Sequence, residues 1–143
     1  MKNKAPLPLM EQLIMILVFA LTSALCLRGF SLANSISKEQ ESREHAVIAV
    51  LNAAEVLKYT SGDFEQAATQ LGGYWDGDLW SIPYDSSWQL LSDSEQSVFL
   101  LQAIPQDDDD PFLGTAHIKV FYKDEILFEI TIGWQEVNGD AVT

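Results

Sequence analysis

Apolar positions follow three different rhythms along this chain. Leu13 to Leu27 contains no charged residue and no polar stripe, which suits a helix surrounded by nonpolar material. From Ile36 onward the run becomes amphipathic. Ile36, Val47, Val50, Ala54 and Leu57 fall on one stripe at a 3.6-residue period. Lys38, Glu39, Glu41, Ser42, Glu44 and His45 occupy the wetter part. Between Ala46 and Leu57 apolar residues nearly encircle the helix, which predicts heavy coverage there. Only Gly29 interrupts the stretch between Pro8 and Gly62, and one glycine costs about 1 kcal/mol against alanine. The expectation is one helix of roughly 50 residues, about 75 Å long. Gly62 supplies a left-handed stop. Phe64 to Leu71 then reads as a short second helix, capped by Ser61 or Asp63 and closed by Gly72-Gly73.

After Gly73 the rhythm drops to two. Asp76-Gly77 is a tight-turn dipeptide between Tyr74-Trp75 and Leu79–Ile82. Asp85-Ser86-Ser87 marks a second turn before an extended Trp88–Leu91. Ser97 to Ile104, Ala116 to Tyr122 and Ile126 to Trp134 read as three strands. Lys123-Asp124-Glu125 is short enough to join the last two as an antiparallel hairpin. His117, Lys119 and Phe121 alternate with Ile118, Val120 and Tyr122, so one sheet face meets a core and the other is wetter. A long helix packed on an antiparallel sheet gives the α+β class. The divisions expected are a leader at 1–6, a transmembrane half-helix at 7–28, an amphipathic half-helix at 29–61 and a globular head at 62–143.

The uncharged run alone is about 15 residues, or roughly 22 Å, against a hydrocarbon core of about 30 Å. Adding Leu7–Met10 reaches spanning length and places Glu11 at the membrane. Either Glu11 sits at headgroup level, or it lies within the span and needs a partner. The chain has 143 residues with 8 Lys and Arg against 21 Asp and Glu, a net charge of −13. Every acidic residue except Glu11 follows Leu27. That balance excludes direct nucleic-acid binding through a basic surface. Lys2, Lys4 and the terminal amine favour a cytoplasmic N-terminus, with the acidic head outside. The one cysteine, Cys26, lies in the apolar run and reads as a small hydrophobe.

Candidate chemistry is sparse. Asp107–Asp110 is a dense acidic cluster, but it lacks the spaced ligands and glycine of a calcium loop, so a solvated loop is expected and no metal is assigned. His45 reads as a surface residue, and Trp75, Trp80, Trp88 and Trp134 as packing. With His45 and His117 as the only histidines, and with no phosphate-binding glycine loop, neither an enzyme nor a cofactor is expected.

The basic leader, Glu11 just inside an apolar helix, and the amphipathic continuation together resemble type IV pilins and type II secretion pseudopilins. In that family a prepilin peptidase cuts so that glutamate is the fifth mature residue. The resemblance therefore implies cleavage between Pro6 and Leu7, although Pro6 replaces the usual Gly or Ala, and Leu7 the usual Phe. It also implies a role for Glu11 in assembly with other pilin-like subunits through the N-terminal helix. Some secretion pseudopilins hold calcium in the head, which keeps the aspartate loop of interest by resemblance. Two other stretches fail as processing sites. Gly29-Phe30-Ser31-Leu32 is followed by polar residues, and in Ser23-Ala24-Leu25-Cys26 leucine precedes the cysteine where a lipoprotein signal has a small residue. The expected function is a minor filament subunit of a pilus or pseudopilus, initiating or at the tip. The alternative is a single-pass anchored binding module, and Glu11 discriminates, because a plain anchor has no use for a carboxylate in its span.

Overall fold

The computed structural model describes residues 6–136. Helix α1 (Pro6–Tyr59) and helix α2 (Phe64–Leu71) are followed by five strands. These are β1 (Tyr74–Trp75), β2 (Trp80–Tyr84), β3 (Phe99–Gln106), β4 (Leu113–Tyr122) and β5 (Glu125–Gln135). The chain divides into two compact units, Met1–Glu41 and Ser42–Thr143, so the boundary falls within α1. Of the expected leader, residues 1–5 lie outside the described residues.

In the first unit α1 is continuous, and Gly29 does not interrupt it. The large apolar side chains from Leu7 to Leu27 are 55–75% exposed, so no protein surface covers them among the described residues. The helix is long and apolar enough to cross a membrane. The Thr22 hydroxyl donates to the Val18 carbonyl at 2.8 Å, which lets a polar residue sit in an apolar surround without an orphan donor.

The second unit is an α+β head. Its sheet is antiparallel throughout in the order β1-β2-β3-β4-β5. The C-terminal part of α1 packs on one face of that sheet through Ala46, Ala49, Val50, Ala53, Ala54 and Leu57. Val50, Ala54 and Leu57 of the expected stripe are buried there, whereas Ile36 is half exposed and Val47 only partly buried, and Ala46, Ala49 and Ala53 complete the contact. Small and large side chains alternate along this contact, with Val50 and Leu57 fully buried among the alanines, so that the two surfaces fill the space between them. The expected all-round coverage is also absent, since Ile48 and Leu51 remain 54% and 53% exposed. From the sheet come Trp80, Ile82, Leu101, Ile118 and Val120, all fully buried. Each such side chain contributes about 1.5–3 kcal/mol by leaving water.

Helix α1 ends through a double left-handed step, Ser61 (φ 53) and then Gly62 (φ 82). The Gly62 N–H returns to the Leu57 carbonyl at 2.9 Å. The α2 cap is Asp63, whose carboxylate accepts from Gln66 N–H at 3.0 Å. Phe64 of α2 then stacks on Trp75 (4.7 Å between centroids) and meets Trp80 and Trp134 edge-on. All these rings serve packing, as read from the sequence.

Sheet boundaries differ from expectation at several points, β4 beginning at Leu113 rather than Ala116. The β1–β2 turn is longer than a two-residue hairpin, because the Asp76 carboxylate accepts from both Asp78 and Leu79 N–H, and β2 begins at Trp80. Trp88–Leu91 forms no strand beyond a single bridge, Tyr84↔Leu90. Asp85 instead gathers the Ser87 and Gln89 N–H groups and throws Trp88 into left-handed backbone (φ 59). Strand β3 starts at Phe99, because Ser94–Gln96 forms a 3-10 turn capped by Asp93. It then runs on through Pro105 to Gln106, whose carbonyl accepts from the Thr115 hydroxyl.

Candidate functional site

Two surfaces carry features that packing does not explain. The first is the bare segment of α1 holding Glu11. Glu11 is exposed beside Leu7, Pro8, Met10, Ile14 and Met15, and no cation lies within one helical turn of it. A carboxylate there has no partner on its own helix. Leu7 is exposed on the same helix, while Pro6 is its first residue. Cys26 is a free, exposed thiol further along the helix.

The second surface is the sheet face turned away from α1. Register assembles it from residues far apart in sequence. Tyr74 pairs with Ser81, Ser81 with Gln102, Gln102 with Lys119 and Lys119 with Glu129. A polar row thus crosses all five strands. Beside it runs an apolar row, Pro83, Leu100, Phe121 and Ile126, paired in that order. Over the β1–β3 part of this face lies the 90–94 stretch, fixed by a Leu91 N–H bond to the Pro83 carbonyl at 2.9 Å. Between stretch and sheet is a cleft of about 630 Å³, bordered by Gly73, Tyr74, Ser81, Pro83, Leu90–Ser94, Leu100 and Gln102. Gly73 (φ 91) is required at its end, because a Cβ there would strike the Ser81 carbonyl.

Further along the same face, His117 lies between two partners from β5. Its Nδ1 is 2.9 Å from the Thr131 hydroxyl and its Nε2 is 3.1 Å from Glu129. A neutral ring that donates from Nε2 to the carboxylate leaves Nδ1 to accept the hydroxyl proton. The order hydroxyl, imidazole, carboxylate is that of an activated nucleophile. These three residues do not line the cleft. Glu129 is half exposed, and an exposed contact of this kind contributes about 0–1 kcal/mol. The row acts as a cross-strand pin that fixes the β4–β5 register.

Sequence reading missed this triad and the cleft. The alternation of His117 with Ile118 put the histidine on the wet face, but only register shows which β5 residues it meets. His45 is exposed as expected, yet it also stacks on Trp88 at 5.7 Å, starting an aromatic series that continues through Phe99 to Tyr122. At the aspartate loop, Asp110 accepts from Phe112 N–H at 3.0 Å, and no three metal-ligating side chains converge among the described residues.

No family model, curated protein or solved structure matches this chain.

Proposed function

We propose that this protein is a minor structural subunit of a type IV pilus or type II secretion-like filament, assembling through its N-terminal helix. The observation that carries the reading is Glu11, a carboxylate in the otherwise apolar, uncovered Leu7–Leu27 stretch of α1, with no cation within one turn of the helix. Left unpaired in lipid, it costs several kcal/mol. A simple anchor would lose nothing by having leucine there. The reading gives the carboxylate a partner in the terminal amine of an adjacent subunit, reached only when two helices pack in one register. Apolar contact along Leu13–Leu27 supplies most of the attraction, and the charge pair rejects misaligned packing. The short N-terminus stays cytoplasmic and the acidic head lies outside. The role is one of assembly rather than catalysis.

The test is Glu11→Leu in cells that contain the partner subunits. The variant inserts into the membrane at least as well as the wild type, and its head melts at the same temperature. Crosslinking to partner subunits falls to background. Glu11→Gln is intermediate, keeping the shape without the charge. Normal crosslinking of Glu11→Leu would reject the filament reading.

The second reading is a single-pass anchored binding module. The cleft on the outer sheet face favours it, being a concave surface that the fold itself does not fill.

A further inference from the structure

We infer that the cleft beneath the 90–94 stretch is a binding site for a neutral oligosaccharide. Its volume of about 630 Å³ falls within the range of small-ligand sites, roughly 300–1,000 Å³. Two neighbouring rows of side chains form its floor. Ser81 and Gln102 face each other in direct register, and Pro83 and Leu100 do the same one step along. Serine hydroxyls and the glutamine amide both give and accept hydrogen bonds, as each sugar hydroxyl must. Leu100, half-buried and backed by the buried Pro83, offers the apolar surface that the C–H face of a pyranose ring requires. At the mouth, in register with Ser81, Tyr74 is 72% exposed and fills no part of the core. An exposed ring with a polar tip is an effective platform for such a face.

Charge narrows the ligand class. The lining has no Lys or Arg, and its one charged side chain is Asp93. Asp93 Oδ1 is engaged with the Glu95 N–H at 3.0 Å, which orients the carboxylate at the cleft wall. In a chain of net charge −13 this disfavours phosphorylated, sulfated or sialylated ligands. An extended peptide is also disfavoured, because strand addition needs an open sheet edge, and this floor lies on the face of β2 and β3, each paired on both sides. The assignment is independent of how α1 assembles, since it stands equally for a filament tip and for an anchored module.

The test uses the full chain in polyoxyethylene micelles, because a sugar-headed detergent would compete. The protein is applied to an array of neutral oligosaccharides with their sialylated and sulfated counterparts, alongside an array of extended peptides. A retained oligosaccharide is then titrated by calorimetry. Neutral members are retained, and Tyr74→Ala and Gln102→Ala each weaken binding roughly tenfold. Tyr74→Phe keeps the ring and stays near wild type, and the melting temperature of Tyr74→Ala does not change. Failure to retain any neutral oligosaccharide overturns the assignment. So does retention of acidic glycans alone, retention of peptides alone, or undiminished binding by Tyr74→Ala.

Discussion

Trp134 shows how much one residue can dictate. Its indole lies against two glycines, Gly62 from the helix end and Gly114 from β4, and a Cβ at either would overlap the ring. The ring is 8% exposed, and its Nε1 has no hydrogen-bond partner among the described residues. A buried unsatisfied donor costs about 1–3 kcal/mol, so burial of the ring area must outweigh that cost. Gly114 has ordinary strand backbone, so alanine there tests overlap alone. Gly114→Ala should destabilise the head by about 1–3 kcal/mol in urea unfolding. In a Trp134→Leu background the same change should cost much less, and a double-mutant cycle measures the coupling. Asp76 gives a second test at this scale. The Asp78 and Leu79 backbone N–H groups hold its carboxyl below the ordinary 3.8, outweighing desolvation, with a lesser contribution from its own N–H. A depressed folded value stabilises the folded state above the unfolded pKa, and that stability disappears as pH falls through the folded value. Thermal melts of wild type and Asp76→Asn should therefore converge as pH drops below 3.8. A gap that persists at lower pH would mean that the turn does not depend on the charge.

At the scale of elements, the contact between α1 and the sheet decides the head. Ala46, Val50, Ala53 and Leu57 are fully buried, so the contact is a filled one in which alanines sit between larger side chains. Enlarging Ala53 to leucine leaves helix propensity almost untouched but overfills the contact. Ala53→Leu should lower head stability by about 1–3 kcal/mol while far-UV circular dichroism stays unchanged. A neutral result would show slack in the packing. The connection between β2 and β3 matters as much. Trp88 is pushed into left-handed backbone by the Asp85 turn and reaches Phe99, stacked at 4.1 Å. That loop both closes the aromatic series on the core side and continues into the 90–94 wall of the outer cleft.

At the scale of the molecule, the two units have opposite surface character. The first presents apolar side chains and the single carboxylate of Glu11 from Leu7 through Leu27, whereas the second belongs to the acidic remainder of the chain. Contrast of this kind suits an apolar environment for the Leu7–Leu27 stretch and water for the second unit. In the filament reading a prepilin peptidase removes residues 1–6. Intact-mass measurement of membrane-extracted protein from cells containing that peptidase should find a chain beginning at Leu7. Retention of Met1–Pro6 in those cells would rule out cleavage and leave the fold untouched.

Sequence alone determined the elements whose signal is local. Uncharged length, a helical period and a lack of breakers specified α1, because intrahelical hydrogen bonds need only neighbours along the chain. Alternation specified β4 and β5 and which of their faces is wet. Glu11 was legible for the same reason, as a charge out of place in an apolar run. Tertiary structure decided whatever depends on pairing at a distance. Ala46, Ala49 and Ala53 joined Val50, Ala54 and Leu57 in the helix contact while Ile36, Ile48 and Leu51 stayed out of it, since the position of the sheet sets which side of the helix is covered. Trp88 turned inward because Asp85 captured the local N–H groups, outweighing the strand preference of Trp88–Leu91. Register alone joined Ser81 to Gln102 in the cleft floor and to Tyr74 at its mouth, and His117 to Glu129 and Thr131. Sliding a strand by one residue would turn every one of those side chains to the other face, so only the folded sheet could assign them partners.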